Sequence, residues 1–423
     1  MAGVSLPPGT SDIFPEESHI WHEIEQVAAE VFSLYGFGEL RTPIMEFTEL
    51  FQRGIGDETD VVKKEMYTFN DRGGRSLTLR PEGTAGVMRA LSKTDVMNGS
   101  EKRVYYIGPM FRGERPAAGR KRQFHQVGVE NAGGVSPAAD AESIAMLMHF
   151  LEKLKITGSK LLINTRGAFE DRKPAEDLLR IYFKNHLDVL CHDCQERYDR
   201  NIWRLLDCKN PTCGEIVNGL PNITESFSEE SQSYFKEVCE LLDVMNIDYI
   251  VEPRLVRGLD YYAHTVFELT HDALGGQNAI AGGGRYEVNI PGVKRPVKGV
   301  GFAAGIERLI MVRDALKVVA NTSNTPYVYL VSLGKEAKKM NIKLAKKLRS
   351  NGISCIAELE DKSIKAQLRA ANKYKVSFAL IRGEDELNKG VVVCRNLENG
   401  EQSELKDDGT ICEFLKEQIP NLH

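Results

Sequence analysis

A chain of 423 residues exceeds what one hydrophobic core usually organises, so two or three domains are expected. With 42% hydrophobic and 27% charged residues the composition is that of a globular protein, and no apolar run is long enough to cross a bilayer, so no membrane span is expected. The net charge of −5 excludes a uniformly basic nucleic-acid coat and leaves only local patches to meet a polyanion, while the start, MAGVSLPPGTSDIFPEE, has neither a basic head nor an apolar stretch and points to a cytoplasmic location.

From His19 to Tyr35 the residues Ile20, Ile24, Val27, Ala28, Val31 and Leu34 recur at helical spacing, and Gly36 supplies a stop. FGELRTPIMEF then predicts a strand whose Pro43 cannot donate to a ladder and so belongs at an edge or interface. YTFNDRGGRSLTLRPEGTA predicts a hairpin about Arg72, Gly73 and Gly74 that leads into a helix after Pro81. Alternation in Arg103–Gly108 and Gln123–Val129 predicts two strands joined by a basic loop, which carries Arg112, Arg115, Arg120, Lys121 and Arg122 against Glu114 alone. A helix is expected over Ala139–Lys155, and polarity then rises from Gly167 to Ile247, as in an insertion. Strand patterning resumes at RLVRGLDYYAHTVFEL, passes through the glycine-rich AIAGGGRY, and ends in GVGFAAGIERLIMVRDAL, a strand feeding a helix.

Val319 to Pro326 has linker composition, and beyond it strands and helices alternate: YVYLVSL, a helix with Ala337, Met340, Leu344 and Leu348 on one face, SCIAEL, SIKAQLRAANKY, SFALIRG and GVVVCRNL. Such alternation implies a small α/β domain with helices covering a sheet. The lysines between Lys335 and Arg349 fit a solvated helix face or a polyanion contact. Of the eight cysteines, Cys191, Cys194, Cys208 and Cys213 are clustered. Without a secretory signal disulfides are not expected, which leaves two readings: an all-thiolate zinc site, or free thiols in a small helical insertion.

Three segments carry chemistry. FRGERPAAGRKRQFHQVGVE offers fixed guanidinium groups suited to a triphosphate and a carboxylate. RLVRGLDYYAHT places an arginine beside two tyrosines, and GFAAGIERL leads a strand into a helix bearing Arg308. Together they resemble motif 2, the histidyl-specific peptide and motif 3 of histidyl-tRNA synthetases, and the stretch around Pro43 resembles motif 1, a dimer-interface element of class II aminoacyl-tRNA synthetases. The resemblance runs from LPPGTSDIFP to the C-terminus and is weakest in the insertion. It departs from the family pattern where AGGGRYEVNIPG lacks the Asp-Gly that commonly follows GGRY, and where PAAGRKR lacks a glutamine after the proline.

The resemblance implies an α+β fold: a class II catalytic domain over 1–322, an antiparallel sheet flanked by helices and interrupted by a helical insertion at about 168–250, then an anticodon-binding α/β domain over 326–423. It implies a cytoplasmic homodimer that activates histidine with ATP and Mg2+ and loads tRNA(His). Arg112 would bridge the substrate carboxylate and the α-phosphate, and Arg257 would stabilise charge gathering on that phosphate. Phe124 and Arg308 would bind ATP, while Arg115 or Arg120 would meet the tRNA acceptor end. Histidine would lie among Glu82, Gly83, Thr84, Gln126, Glu130, Tyr261 and Tyr262, with Glu130 and Tyr262 on the imidazole. Read on their own, Glu82 and Thr84 could cap the helix that starts there, and both tyrosines could pack a core. A synthetase for threonine or proline gains little from Glu130. A non-catalytic regulatory paralogue has no need of Arg257, the motif 2 loop or an anticodon domain.

Overall fold

The structure, a computed structural model, describes residues 4–320 and 326–418; most of the expected linker, with the expected limit at 322, lies outside the described residues, as do both outer ends of the chain. The chain forms two compact units, Met1–Thr322 and Ser323–His423.

The first unit runs α1 (Pro15–Leu34), β1 (Gly38–Glu39), β2 (Met45–Phe47), α2 (Thr48–Ile55), β3 (Tyr67–Asn70), β4 (Ser76–Leu79), α3 (Thr84–Leu91), β5 (Lys102–Phe111), β6 (Gln123–Ala132), α4 (Pro137–Lys153) and β7 (Lys160–Thr165). It continues through α5 (Arg172–Lys184), α6 (His192–Arg200), α7 (Pro211–Asn218), α8 (Glu229–Val244), β8 (Ile250–Val251), β9 (Tyr262–Thr270), β10 (Ala279–Val288), β11 (Val297–Gly305) and α9 (Ile306–Ala315). Eight strands form one sheet in the order β1-β5-β6-β11-β10-β9-β7-β8, antiparallel except for the short edge strands β1 and β8, which pair parallel to β5 and β7. FGELRTPIMEF does not form one strand: it splits into β1, in this sheet, and β2, in a three-stranded sheet ordered β2-β4-β3. Pro43 lies between them, where its missing N–H costs no ladder bond.

Side chains alternate across a strand, so each long strand presents two different faces. One face is apolar: Tyr105, Val127, Val129, Phe267, Leu269, Phe302 and Ala304 pack against Ile24, Ala28 and Phe32 of α1, Ile144, Leu147 and Phe150 of α4, and Leu309 and Val312 of α9. Two buried ion pairs fix these helices, Arg313–Glu23 at 2.9 Å between α9 and α1, and Arg285–Asp140 at 2.6 Å between β10 and α4. The intervening residues Tyr106, Gln126, Gly128, Glu130 and Gly301 turn to the opposite face, where they meet α2, α3 and the 255–262 segment.

Residues 175–227 build a separate core around Leu179, Phe183, Leu190, Trp203, Leu205 and Phe227. By contrast α8, inside the stretch that sequence polarity marks as insertion, sends Val238 and Leu242 into the main core. Its apolar positions are diluted by Glu229, Glu230, Lys236, Glu237 and Glu240 on the solvent side, which raises mean polarity without removing the packing stripe.

The second unit comprises β12 (Val328–Ser332), α10 (Lys335–Ser350), β13 (Cys355–Ala357), α11 (Ile364–Lys373), β14 (Phe378–Arg382), α12 (Glu384–Lys389), β15 (Val391–Asn396), β16 (Gln402–Lys406) and α13 (Thr410–Gln418). Its sheet has the order β13-β12-β14-β15-β16, parallel across the first three strands and antiparallel thereafter. Leu344 and Leu348 of α10 pack with Ile411 and Leu415 of α13 on one side of it, and Ala371 of α11 packs with Tyr329, Val331 and Ala379 on the other. The buried stripe of α10 is Ala337, Asn341, Leu344, Ala345 and Leu348, while Lys335, Lys339, Lys343, Lys346 and Lys347 are exposed.

Candidate active site

On the sheet face away from the long helices lies a cleft of about 440 Å³, counting its open mouth. Glu82, Thr84, Tyr106, Arg112, Gln126, Glu130, Arg257, Tyr261, Tyr262 and Tyr286 line it together with Gly282 and Gly301. Eight of the residues singled out in the sequence therefore converge on one cavity from β5, β6, β9, the start of α3 and the segment before β9.

The floor is acidic and buried. Glu130 on β6 is 1% exposed, and its Oε1 accepts a 2.6 Å bond from Thr84 Oγ1. Burial pushes its carboxyl up to about 8, against the pull of the Thr84 and Tyr286 hydroxyls. Tyr286 faces this carboxylate without being aligned as a hydrogen bond, so Glu130 Oε2 and Tyr286 Oη both lack a partner, as does Gln126 Oε1. Unpaired buried polar atoms are costly unless something else satisfies them, so their convergence in one cleft marks the place of a polar ligand. Glu82 accepts from the backbone N–H groups of Thr84 at 2.7 Å and Ala85 at 2.9 Å, so it does cap α3, and it faces the cavity at the same time. Burial raises its carboxyl above the usual range despite those bonds. Tyr261 donates to Glu82 Oε2 at 3.5 Å, and the rings of Tyr261 and Tyr262 stand 4.8 Å apart.

The cations sit around the mouth. Arg112 leaves the end of β5, is anchored by its Nε on the carbonyl of Pro81 at 2.9 Å, and lies 5.3 Å from the Phe124 ring centroid. Arg257 pairs with Glu268 of β9 at 2.5 Å and keeps its Nε without a partner. Arg308, on the first turn of α9, donates to the carbonyl of Gly119 at 3.0 Å and of Gln277 at 3.1 Å, and so ties the tip of the basic loop to the start of β10. Glu307 beside it accepts the backbone N–H of His125 at 3.0 Å, which links α9 to β6 as well.

Not every expected residue reaches the cavity. Gly83 lies under the wall, where any side chain would collide with the ring of Tyr106. Arg120 and Arg308 line an adjoining open cleft of about 2300 Å³, and Arg115 is exposed on the loop. Five residues in or beside the site escape the sequence reading: Tyr106, Tyr286, Glu268, Gly282 and Gly301. The run AGGG carries a usable signal, because glycines in a strand interior mark close approach of another group. A side chain at Gly282 would meet the Arg257 guanidinium at 2.5 Å, and one at Gly301 would run into Glu130.

The four clustered cysteines lie apart from this cavity, in the core of residues 175–227, with their sulfurs all within 4.8 Å of one another.

A mostly antiparallel sheet backed by helices, with arginines and buried carboxyl groups lining one cleft, fits a class II aminoacyl-tRNA synthetase catalytic unit. The family model described as histidyl-tRNA synthetase matches residues 9–171 and 192–309, and the one described as anticodon binding domain matches 327–417. The chain belongs to the histidyl-tRNA synthetase family. Among its relatives, the histidine–tRNA ligase of Halothermothrix orenii is 45% identical over 98% of this chain and 99% of that protein, and histidine–tRNA ligase 1 of Shouchella clausii is 45% identical with the same coverage. The crystal structure of apo histidyl-tRNA synthetase from S. aureus superposes with a TM-score of 0.80 at 34% identity, covering 98% of this chain and all of that one.

Proposed function

We propose that the chain is a histidine–tRNA ligase that activates L-histidine with ATP and transfers it to the 3' end of tRNA(His). The observation that carries the reading is Glu130, a buried carboxylate on the cavity floor with one oxygen held by Thr84 and the other unpartnered. A neutral imidazole offers one donor and one acceptor nitrogen, so a carboxylate on one side and the phenol of Tyr262 on the other read both. Glu82, Thr84 and Gln126 receive the α-ammonium group; the Glu82 oxygens that cap α3 have lone pairs to spare.

In the first step a carboxylate oxygen of histidine bonds to the α-phosphorus of ATP, and the bond from that phosphorus to the bridging oxygen breaks as pyrophosphate leaves. Arg112 holds the carboxylate and the α-phosphate in line, and Arg257 stabilises the charge that gathers on the phosphoryl oxygens without reorganising water. Phe124 stacks on adenine, and Arg308 lies on the nucleotide. Mg2+ bound with ATP would supply the charge neutralisation that the β- and γ-phosphates need. In the second step a ribose hydroxyl at the tRNA 3' end attacks the histidyl carbonyl and AMP leaves; Arg115 and Arg120, on the exposed loop, meet the acceptor end, and the unit at 326–418 meets the anticodon. A cytoplasmic homodimer completes the reading, supported by the apolar face of the small sheet, where Met45, Phe47, Tyr67 and Phe69 are exposed.

Glu130→Ala tests the substrate assignment through ATP–pyrophosphate exchange with histidine and with a thiophene-ring analogue. Leaving a ring nitrogen unpaired costs on the order of 1 to 3 kcal/mol, so histidine exchange should fall roughly 5- to 150-fold while the analogue changes little. Equal losses for both would mean that Glu130 supports the pocket without reading the ring.

A further inference from the structure

The region between α5 and α8 has no part in the reaction above, yet it holds the densest cluster of soft ligands among the described residues. Cys191 immediately precedes α6 and Cys194 lies in its first turn; Cys208 follows the short 3-10 turn at Ile202–Leu205, and Cys213 lies in the first turn of α7. Three separate pieces of chain thus bring their sulfurs to one point. All four Sγ atoms lie within 4.8 Å of one another, and Cys191 Sγ and Cys208 Sγ are 3.8 Å apart. Four sulfurs at ~2.3 Å from a common ion form a tetrahedron with edges of ~3.8 Å. Ligands of a polynuclear iron–sulfur cube must stand further apart, around a body of several atoms. A disulfide would need two of the sulfurs in covalent contact, and all four cysteines are free thiols.

We propose that Cys191, Cys194, Cys208 and Cys213 bind one zinc ion that staples the 175–227 module. Two features of the surroundings suit four thiolates better than four packed thiols. The backbone N–H of Cys191 donates to Cys213 Sγ at 3.2 Å, and the N-termini of α6 and α7 both end at the cluster, each favouring negative charge. Beside it the wall of the adjoining cleft carries Arg197, Arg204 and Lys209 against Asp193 and Asp207, with Arg204 paired to Asp207 at 3.4 Å, and the excess cation offsets part of the net negative charge of a zinc tetrathiolate. Small modules commonly carry a metal or disulfides beside their apolar core, which is built here on Leu179, Phe183, Trp203 and Phe227. The ion is structural, with all four positions filled by protein, and takes no part in adenylate formation.

The test is metal analysis of the full-length, untagged chain after desalting into metal-free buffer, with wild type, Cys194→Ser, Cys208→Ser and Cys239→Ser in parallel. About one zinc per chain is expected in wild type and Cys239→Ser, and roughly a tenth of that in the two cluster variants. Cys208 is only half-buried, so its serine variant separates metal loss from collapse of the module should Cys194→Ser fail to fold. Growth in cobalt should replace zinc with an ion showing strong thiolate-to-cobalt charge-transfer bands and tetrahedral d–d bands. Chelation should lower the melting temperature of the module and leave histidine-dependent pyrophosphate exchange within about twofold of wild type. No metal with all four cluster thiols titratable in the native protein would overturn the proposal. So would an iron ion in place of zinc, or a disulfide within the cluster.

Discussion

Arg257 stands 2.5 Å from Glu268 and keeps one guanidinium nitrogen without a partner, at the mouth of a cleft whose floor is two buried carboxylates. A cation held in place by a carboxylate, with a further donor unpartnered, needs little reorganisation to meet an anion, which is the condition under which a fixed donor lowers a barrier in the proposed reaction. Arg257→Ala should reduce single-turnover adenylate formation by on the order of 100-fold while leaving ATP affinity nearly unchanged. Gly282→Ala should give a smaller loss of the same kind, because a methyl at that position meets only the movable end of the Arg257 side chain. An undiminished rate in Arg257→Ala would remove the residue from the reaction, and a loss of melting temperature without a loss of rate would make its role structural. At this scale much was legible in the sequence, since Arg112, Glu130 and Arg257 sit in segments with a distinct chemical signature. Tyr106, Tyr286 and Glu268 were not: in the linear sequence a tyrosine or glutamate on an alternating strand looks the same whether it faces a core or a cavity, and only register across β5, β6, β11, β10 and β9 assigns the face.

The small sheet β2-β4-β3 shows how an element can signal an interface. Its register sets Phe47 opposite Leu77 and Leu77 opposite Phe69, with Met45, Leu79 and Tyr67 in the next row on the same face. The other face is polar, with Thr78 bonded to Thr48 and Thr68 at 2.9 Å. Two aligned rows of apolar side chains left open to water are costly unless another surface covers them. If the proposed homodimer forms through this face, light scattering should report a dimer for wild type and a monomer with Phe47→Asp and Phe69→Asp combined. A dimer that survives both charges would move the interface elsewhere. Sequence patterning predicted the β3–β4 hairpin but ran β1 and β2 together, because a proline between two strand-like stretches does not say that the halves join different sheets. It also assigned α8 to the insertion, since average polarity hides a narrow packing stripe such as Val238 and Leu242.

Across the whole molecule, two units with separate cores match the two chemical demands of charging a tRNA, an activation site and a second surface for the distant anticodon. In the catalytic unit one cleft gathers Glu82, Glu130, Tyr106, Tyr261, Tyr262 and Tyr286, all nearly inaccessible, and burial raises the pKa of each. The order of elements was readable in advance because local motifs run continuously along the chain, whereas the cysteine spacing left a zinc site and free thiols both open until the folded turns brought the four sulfurs together. The central claim is that this cleft selects histidine for activation by ATP. The measurement that tests it most directly is ATP–pyrophosphate exchange by the full-length chain with each of the twenty amino acids in turn. Exchange should depend on histidine, with the other nineteen amino acids near background. Exchange that depends on a different amino acid, or none with histidine in the presence of Mg2+, would contradict the account.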